Sequence, residues 1–342
     1  MEQAIDFKSL YRKMRADLMR TGRLRKLVRC MACIVYPIVL IWFGFSFFGN
    51  FLIGYSGYSA SANTWIYVLI GFAVFLVAHA IFMLSLTALS RQEYQTMRKI
   101  IAQLFPDAKY NPQGIVNLRL LAHSRLFGVS ESSWKNVNAT SYGRIDIPVG
   151  DQKMRISDVG VTADNKNALS SMNFLGLLYQ SLVRPIFGVR VESTMHSFRG
   201  MFCHCQLQRP INGTVILLPD YLENKIGYLA QTVQGFKQKF GARFMHLEDP
   251  EFESFFAVYA DDEVEARMIL TPAMMRKITE FRRSFNRDMM FSFNENMFYY
   301  ASGTPDGFLR PGRKSLDNEH LLEQLYREID LCRTIRTEMS NR

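Results

Sequence analysis

The chain has 342 residues, of which 48% are hydrophobic and 13% aromatic. This length allows one or two domains with a sizeable core, and the composition excludes an intrinsically disordered chain. The formal net charge is +10, which is a balance found in nucleic-acid-binding proteins, but the excess is local. Residues 1–29 contain nine Lys and Arg residues against three acidic ones.

The uncharged stretch that follows the basic segment explains why basic residues are concentrated there. Residues 30–90 contain no Asp, Glu, Lys or Arg. They form two apolar blocks, 30–53 and 65–89, which are separated by a Gly- and Ser-rich stretch. Each block reaches the ~20 residues that a membrane-spanning helix needs. We therefore predict a basic N-terminal segment over 1–29 and a two-helix transmembrane hairpin over 30–90.

Orientation follows from the basic residues beside the apolar blocks. They precede the first block and follow the second, so both termini are expected in the cytoplasm. The basic segment is then either a topology signal alone or an amphipathic stretch that lies on anionic lipid. With the charge surplus at the membrane edge, we expect no nucleic-acid partner. Cleavage as a signal peptide is not expected, because the basic and apolar stretches are too long.

The part after residue 90 predicts an α+β domain. A helix over 91–105 places Met97, Ile100, Ile101 and Leu104 on one face. Alternating residues predict hairpins at 143–162 and 289–302, and two strands joined by a Pro-Ile-Asn-Gly turn within 197–220. These elements form a cytoplasmic domain over 91–314 with a largely antiparallel sheet and flanking helices. An amphipathic helix closes the chain over 315–342.

The apolar residues 171–188 leave three alternatives open. They could form a core helix, a helix lying on the membrane surface, or an exposed patch for a partner.

Eight carboxylates lie between Glu248 and Glu265. Most have a capping role, because Asp249-Pro250, Asp262-x-x-Glu265 and Thr271-Pro272 are all typical helix starts. The exposed acids Glu248, Asp249, Glu251 and Glu253 are candidate contact residues.

Two alternatives give the chain an activity of its own. The first is a metal-dependent or acid/base enzyme that uses His246 with Glu248 or Asp249. The second is a small subunit of a transport assembly, in which His79 is the ionisable group within the apolar blocks.

Metal and cofactor sites are not indicated by the sequence. Cys203, His204 and Cys205 alternate along a predicted strand, so their side chains cannot meet at one zinc ion. The chain contains no common nucleotide-binding or hydrolase motif. We therefore expect no cofactor and no metal, and we favour a binding protein over an enzyme.

Three stretches resemble bacterial membrane proteins of the DUF3137 family, whose function is unknown. They are Phe198-Arg199-Gly200, the Leu-Glu-Asp-Pro-x-Phe-Glu turn at 247–253, and the Ala-Arg-x-Ile-Leu-Thr-Pro segment at 266–272. The likeness covers roughly residues 95 to 310 and implies a location in the bacterial cytoplasmic (inner) membrane. It adds Phe198, Arg199 and Gly200 as candidate binding residues. Some relatives appear beside LemA-type membrane proteins, which implies such a protein as a candidate partner.

Together these features favour a membrane-anchored cytoplasmic binding or adaptor protein, with a role in envelope maintenance as one hypothesis. The expected partners are the lipid bilayer and a protein, either a LemA-type membrane protein or a second copy of the chain.

Overall fold

The structure is a computed structural model. It describes residues 6–35, 37–39, 41–45, 48, 62–127, 138–162, 198–220, 243–304, 307–309 and 320–340. The chain divides into two compact units. Unit 1 holds Met1–Tyr11, Met97–Ser171 and Val191–Arg342, and unit 2 holds Arg12–Thr96 and Met172–Arg190. The apolar residues 171–188 lie outside the described part, so their three alternatives stay open.

Two long helices supply the described part of unit 2. Helix α1 covers Phe7–Cys30 and continues as a π-helical turn over Met31–Val35. Helix α2 covers Ala62–Leu104. The π turn ends two residues before Pro37. Proline lacks the N–H that a regular helix would use and is a common cause of such irregularities.

The two helices pair with a coiled-coil spacing. Met14, Leu18, Thr21 and Val28 are buried at alternating steps of four and three residues, with Arg25 half-buried between them. Across the pair, the hydroxyl groups of Thr21 and Thr96 lie 3.1 Å apart. Arg25 lies 3.5 Å from Glu93. Farther along, Val28, Ala32, Phe75 and Phe82 form an apolar cluster. These contacts fix an antiparallel register.

Both helices are long and apolar enough to cross a membrane. The two candidate spans are Phe7–Phe45 and Leu69–Leu104, and only 12% and 17% of their most apolar windows are buried. A core helix of a soluble protein would be mostly buried. Large apolar side chains instead face outward, as at Ile41, Phe45, Leu69 and Leu84.

Unit 1 contains a nine-stranded antiparallel sheet. Its strands are β1 (Lys109–Asn111), β2 (Asn138–Val149), β3 (Gln152–Thr162), β4 (Phe198–Gln206), β5 (Thr214–Pro219), β6 (Arg243–Met245), β7 (Phe256–Ala260), β8 (Met289–Asn294) and β9 (Met297–Gly303). The order across the sheet is β1-β2-β3-β4-β9-β8-β5-β7-β6. Among the described strands, the two at the edges have three residues each, and such short edges protect a sheet from pairing with other chains.

Five helices accompany the sheet in the described part of unit 1. They are α3 (Leu118–His123), α4 (Pro250–Phe255), α5 (Glu263–Ile269), α6 (Pro272–Phe285) and α7 (Leu321–Ser340). Leu322, Ile329, Cys332 and Ile335 on α7 are fully buried, as their helical spacing predicts. On the other face of the sheet, Phe127, Phe202, Ile216 and Tyr299 belong to a large apolar core.

The predicted α+β class is confirmed, and so are both hairpins. β2 and β3 pair through Val149 and Gln152, and β8 and β9 pair through Asn294 and Met297. The strands on either side of the Pro-Ile-Asn-Gly turn also form, but they do not pair with each other. β9 and β8 lie between β4 and β5, because the later hairpin inserts there, a long-range choice that a local turn signal does not encode.

Candidate functional site

A cleft of about 500 Å³ lies beside the acidic stretch. Its lining is mixed in character and consists of Leu247, Glu248, Asp249, Pro250, Arg267, Leu270, Pro272, Met275 and Arg276. The apolar residues come from the starts of α4 and α6 and the end of α5. Charged side chains of both signs surround them. Such a combination of apolar surface with a few polar groups is typical of a binding surface.

Helix capping builds this corner of the fold. The Asp249 carboxylate accepts hydrogen bonds from the backbone N–H groups of Glu251 and Phe252. Asp262 accepts from Val264 and Glu265, and the Thr271 hydroxyl accepts from Met274. All three helix starts are therefore confirmed. Each cap satisfies backbone donors that the first turn of a helix leaves free.

The four candidate acids have different surroundings. Glu248 and Asp249 line the cleft, whereas Glu251 and Glu253 do not. Glu248 is almost fully exposed and lies 4.0 Å from Arg267. Glu251 forms an ion pair with Arg283. Glu253 accepts a 2.6 Å hydrogen bond from the backbone N–H of Leu247. Glu248 is thus the acid with the greatest freedom to meet a ligand.

His246 lies near a different carboxylate from those considered in the sequence. Its Nδ1 atom is 3.4 Å from Oε1 of Glu253, and its side chain is 80% exposed. The ring also contacts Phe244 edge-on. The structure therefore groups His246 with Glu253 rather than directly with Glu248 or Asp249.

Phe198, Arg199 and Gly200 are buried in β4, away from the cleft. Phe198 packs against Phe127, with ring centroids 4.8 Å apart. Gly200 lies so close to β9 that a Cβ atom would overlap the carbonyl oxygen of Ser302. Both residues therefore have a clear packing role.

Arg199 forms a buried ion pair with Asp158 on the neighbouring strand β3. The guanidinium also lies over the Tyr142 ring, 3.9 Å from its centroid. The second carboxylate oxygen of Asp158 accepts hydrogen bonds from the backbone N–H groups of Phe308 and Leu309, at 3.1 and 3.0 Å. The pair thus ties a loop after β9 to the middle of the sheet. The sequence carried a signal for it, since Asp158 alternates in phase with the buried Met154 and Ile156.

His204 is buried without a hydrogen bond to either ring nitrogen from the described residues. Burial, together with the nearby cations Arg155 and Arg144, lowers its pKa to about 4, and Asp146 opposes this shift only in part. The ring is therefore neutral at neutral pH. Its neighbours Cys203 and Cys205 face the other side of the sheet, and burial raises the pKa of both thiols, so these are neutral as well.

The described residues contain no group of three or more His, Cys, Asp or Glu side chains that could hold a metal ion. His79 on α2 stacks against Phe75, with ring centroids 6.0 Å apart.

The comparisons with known proteins concern the second half of the chain. Residues 196–340 match the family model described as DUF3137, a protein of unknown function. The match begins later than the resemblance in the sequence indicated, and it extends through α7. No curated protein matches the chain. No solved structure matches it either. The chain therefore carries a DUF3137 domain, formed by strands β4 to β9 and helices α4 to α7.

Proposed function

We propose that the chain is a membrane-anchored binding or adaptor protein. In this proposal the helix pair spans the bacterial inner membrane as a hairpin, both termini lie in the cytoplasm, and the DUF3137 domain binds a protein partner there. The observation that carries the proposal is the apolar outer surface of the helix pair, which coincides with the sixty-one residues that lack a charge. Apolar surface of this extent is stable when lipid covers it.

The cleft beside α4, α5 and α6 is the proposed contact surface. Leu270 and Met275 lie at its base and are almost buried, and the cations of Arg267 and Arg276 lie beside them. Both arginines are exposed. Exposed arginine beside apolar residues is enriched at protein interfaces. A LemA-type membrane protein is a candidate occupant, because the family resemblance implies it.

Cross-linking in living cells tests the partner, with gentle solubilisation and mass spectrometry as the readout. We expect one protein at near-stoichiometric yield with the native chain. The double variant Arg267→Glu, Arg276→Glu should lose it, because the charged side chains of the cleft are then all acidic and no longer complement the partner. The control Lys109→Glu, Lys153→Glu makes the same change in charge at exposed residues of β1 and β3. Equal recovery with both variants would contradict the cleft as the contact surface.

A further inference from the structure

The charged residues next to the apolar part of the helix pair form a band. Arg29 is the last charged residue before the uncharged stretch, and Arg91 is the first after it. The contact between Thr21 and Thr96 places Arg29 eight residues and Arg91 five residues farther along their helices in the same direction. At 1.5 Å per residue the two lie within about one helical turn along the axis. The charges on both helices therefore end at nearly the same level.

Three exposed cations belong to this band, which we call the basic band: Lys26, Arg29 and Arg91. Among the residues that the structure describes, no ion pair involves any of them. The neighbouring Glu93 is not available to neutralise them, because it is paired with Arg25. The band thus presents positive charge that other side chains leave uncompensated.

The axial separations between the cations of the basic band are no larger than the thickness of the headgroup layer of a bilayer. Each headgroup region is about 5–7 Å thick. Lys26 lies three residues, or about 4.5 Å, from Arg29 along the axis. With the uncharged stretch in the hydrocarbon, these side chains reach the phosphate level.

We propose that the basic band binds the phosphate groups of anionic lipids. This inference rests on the proposed membrane hairpin and names the lipid class that its cytoplasmic end selects. A cation near the membrane surface strengthens the attraction to anionic lipid by about fivefold. Three such cations at one level give a selectivity beyond that of a neutral helix pair.

The test uses the full chain reconstituted in phosphatidylcholine bilayers with trace spin-labelled lipids. Electron spin resonance measures the lipid that the protein surface immobilises. At about 0.1 M salt we expect spin-labelled phosphatidylglycerol to associate about fivefold or more tightly than spin-labelled phosphatidylcholine. In the triple variant Lys26→Gln, Arg29→Gln, Arg91→Gln, the ratio should fall towards one.

The control triple variant is Arg12→Gln, Lys13→Gln, Arg15→Gln. It removes the same charge from exposed positions of α1, but these lie about 21–26 Å from Arg29 along the helix. That distance exceeds the Debye length of about 10 Å at 0.1 M salt, so the ratio should stay near that of the native chain. No selectivity in the native chain, or equal loss in both variants, would overturn the inference. Absence of any immobilised lipid would instead contradict the membrane hairpin itself.

Discussion

Asp158 and Arg199 place opposite charges in the interior of the sheet, where an unpaired charge is expensive. The carboxylate serves Arg199 and two backbone N–H groups at once. Replacement Asp158→Asn leaves the guanidinium buried without its counter-charge. We expect the free energy of unfolding to fall by about 3–5 kcal/mol, which thermal unfolding of the full chain in detergent would measure.

The matched control for this variant is Glu323→Gln on α7. Its partner Arg327 is more than half exposed, and ion pairs at the surface contribute about 0–1 kcal/mol. A loss of stability in Asp158→Asn no larger than in Glu323→Gln would show that the buried pair does not stabilise the fold.

His204 should make the fold sensitive to mild acid. Its pKa is about 4 in the folded protein, against about 6.5 for an unfolded histidine. Between these values the unfolded state binds the proton and the folded state does not, so stability decreases as the pH falls from about 6.5 to 4. Above about pH 6.5, His204 does not contribute to the pH dependence of the free energy of unfolding.

The variant His204→Leu should remove this part of the acid sensitivity. The loss between pH 7 and pH 4 should be smaller than in the native chain by about 3 kcal/mol, which is the free energy linked to the pKa difference. At pH 7 the change should be small, because neither ring nitrogen has a hydrogen bond to lose among the described residues. Identical pH profiles of unfolding temperature for the two proteins would refute the assignment.

At the scale of elements, the close approach of β4 and β9 depends on one of two paired glycines. Gly200 and Gly303 lie opposite each other. A Cβ atom on Gly200 would overlap backbone of β9, whereas on Gly303 it would meet nothing closer than 3.9 Å. We expect Gly200→Ala to destabilise the sheet by about 3 kcal/mol or more and Gly303→Ala by under about 1 kcal/mol.

Hydrogen exchange with mass spectrometry on the full chain would follow this difference in the peptides of β4 and β9. Faster exchange in Gly200→Ala but not in Gly303→Ala is the expected result. Similar exchange in both variants would mean that the strands can separate to accept a methyl group.

Local elements were predictable because their signals lie within a few residues. The caps at Asp249, Asp262 and Thr271 each form as the sequence indicates, since a cap involves only the next three residues. The two hairpins formed for the same reason. The neighbours of β4 and β5 were not predictable, because strand order depends on contacts between residues that are far apart in the chain.

In the candidate site too, local features could be predicted from the sequence and long-range contacts could not. Glu248 and Asp249 could be placed at an exposed turn from the sequence. Arg267 and Arg276 were missed, because they join Glu248 only when α5 and α6 fold beside α4. Arg199 was singled out from a family resemblance. The alternation in β3 indicated that Asp158 is buried, but its pairing with Arg199 depends on the pairing of β3 with β4.

At the scale of the whole molecule, the charge pattern and the helix pair point to the same arrangement. The uncharged stretch ends at the basic band on both helices, and most of the large outward apolar side chains lie within that stretch. A membrane boundary explains this coincidence, because the hydrocarbon core excludes charge. The proposed function therefore requires a hairpin that crosses the membrane twice, with the N-terminal segment and the DUF3137 domain on the same side.

The most direct measurement is labelling with a membrane-impermeant maleimide in sealed vesicles of known orientation. Single cysteines are introduced into a cysteine-free chain by Ser9→Cys, Ser56→Cys and Val264→Cys. We predict that the first and third react only in inside-out vesicles and the second only in right-side-out vesicles. Reaction of the Ser9→Cys and Val264→Cys variants in vesicles of opposite orientation would contradict the two-span hairpin.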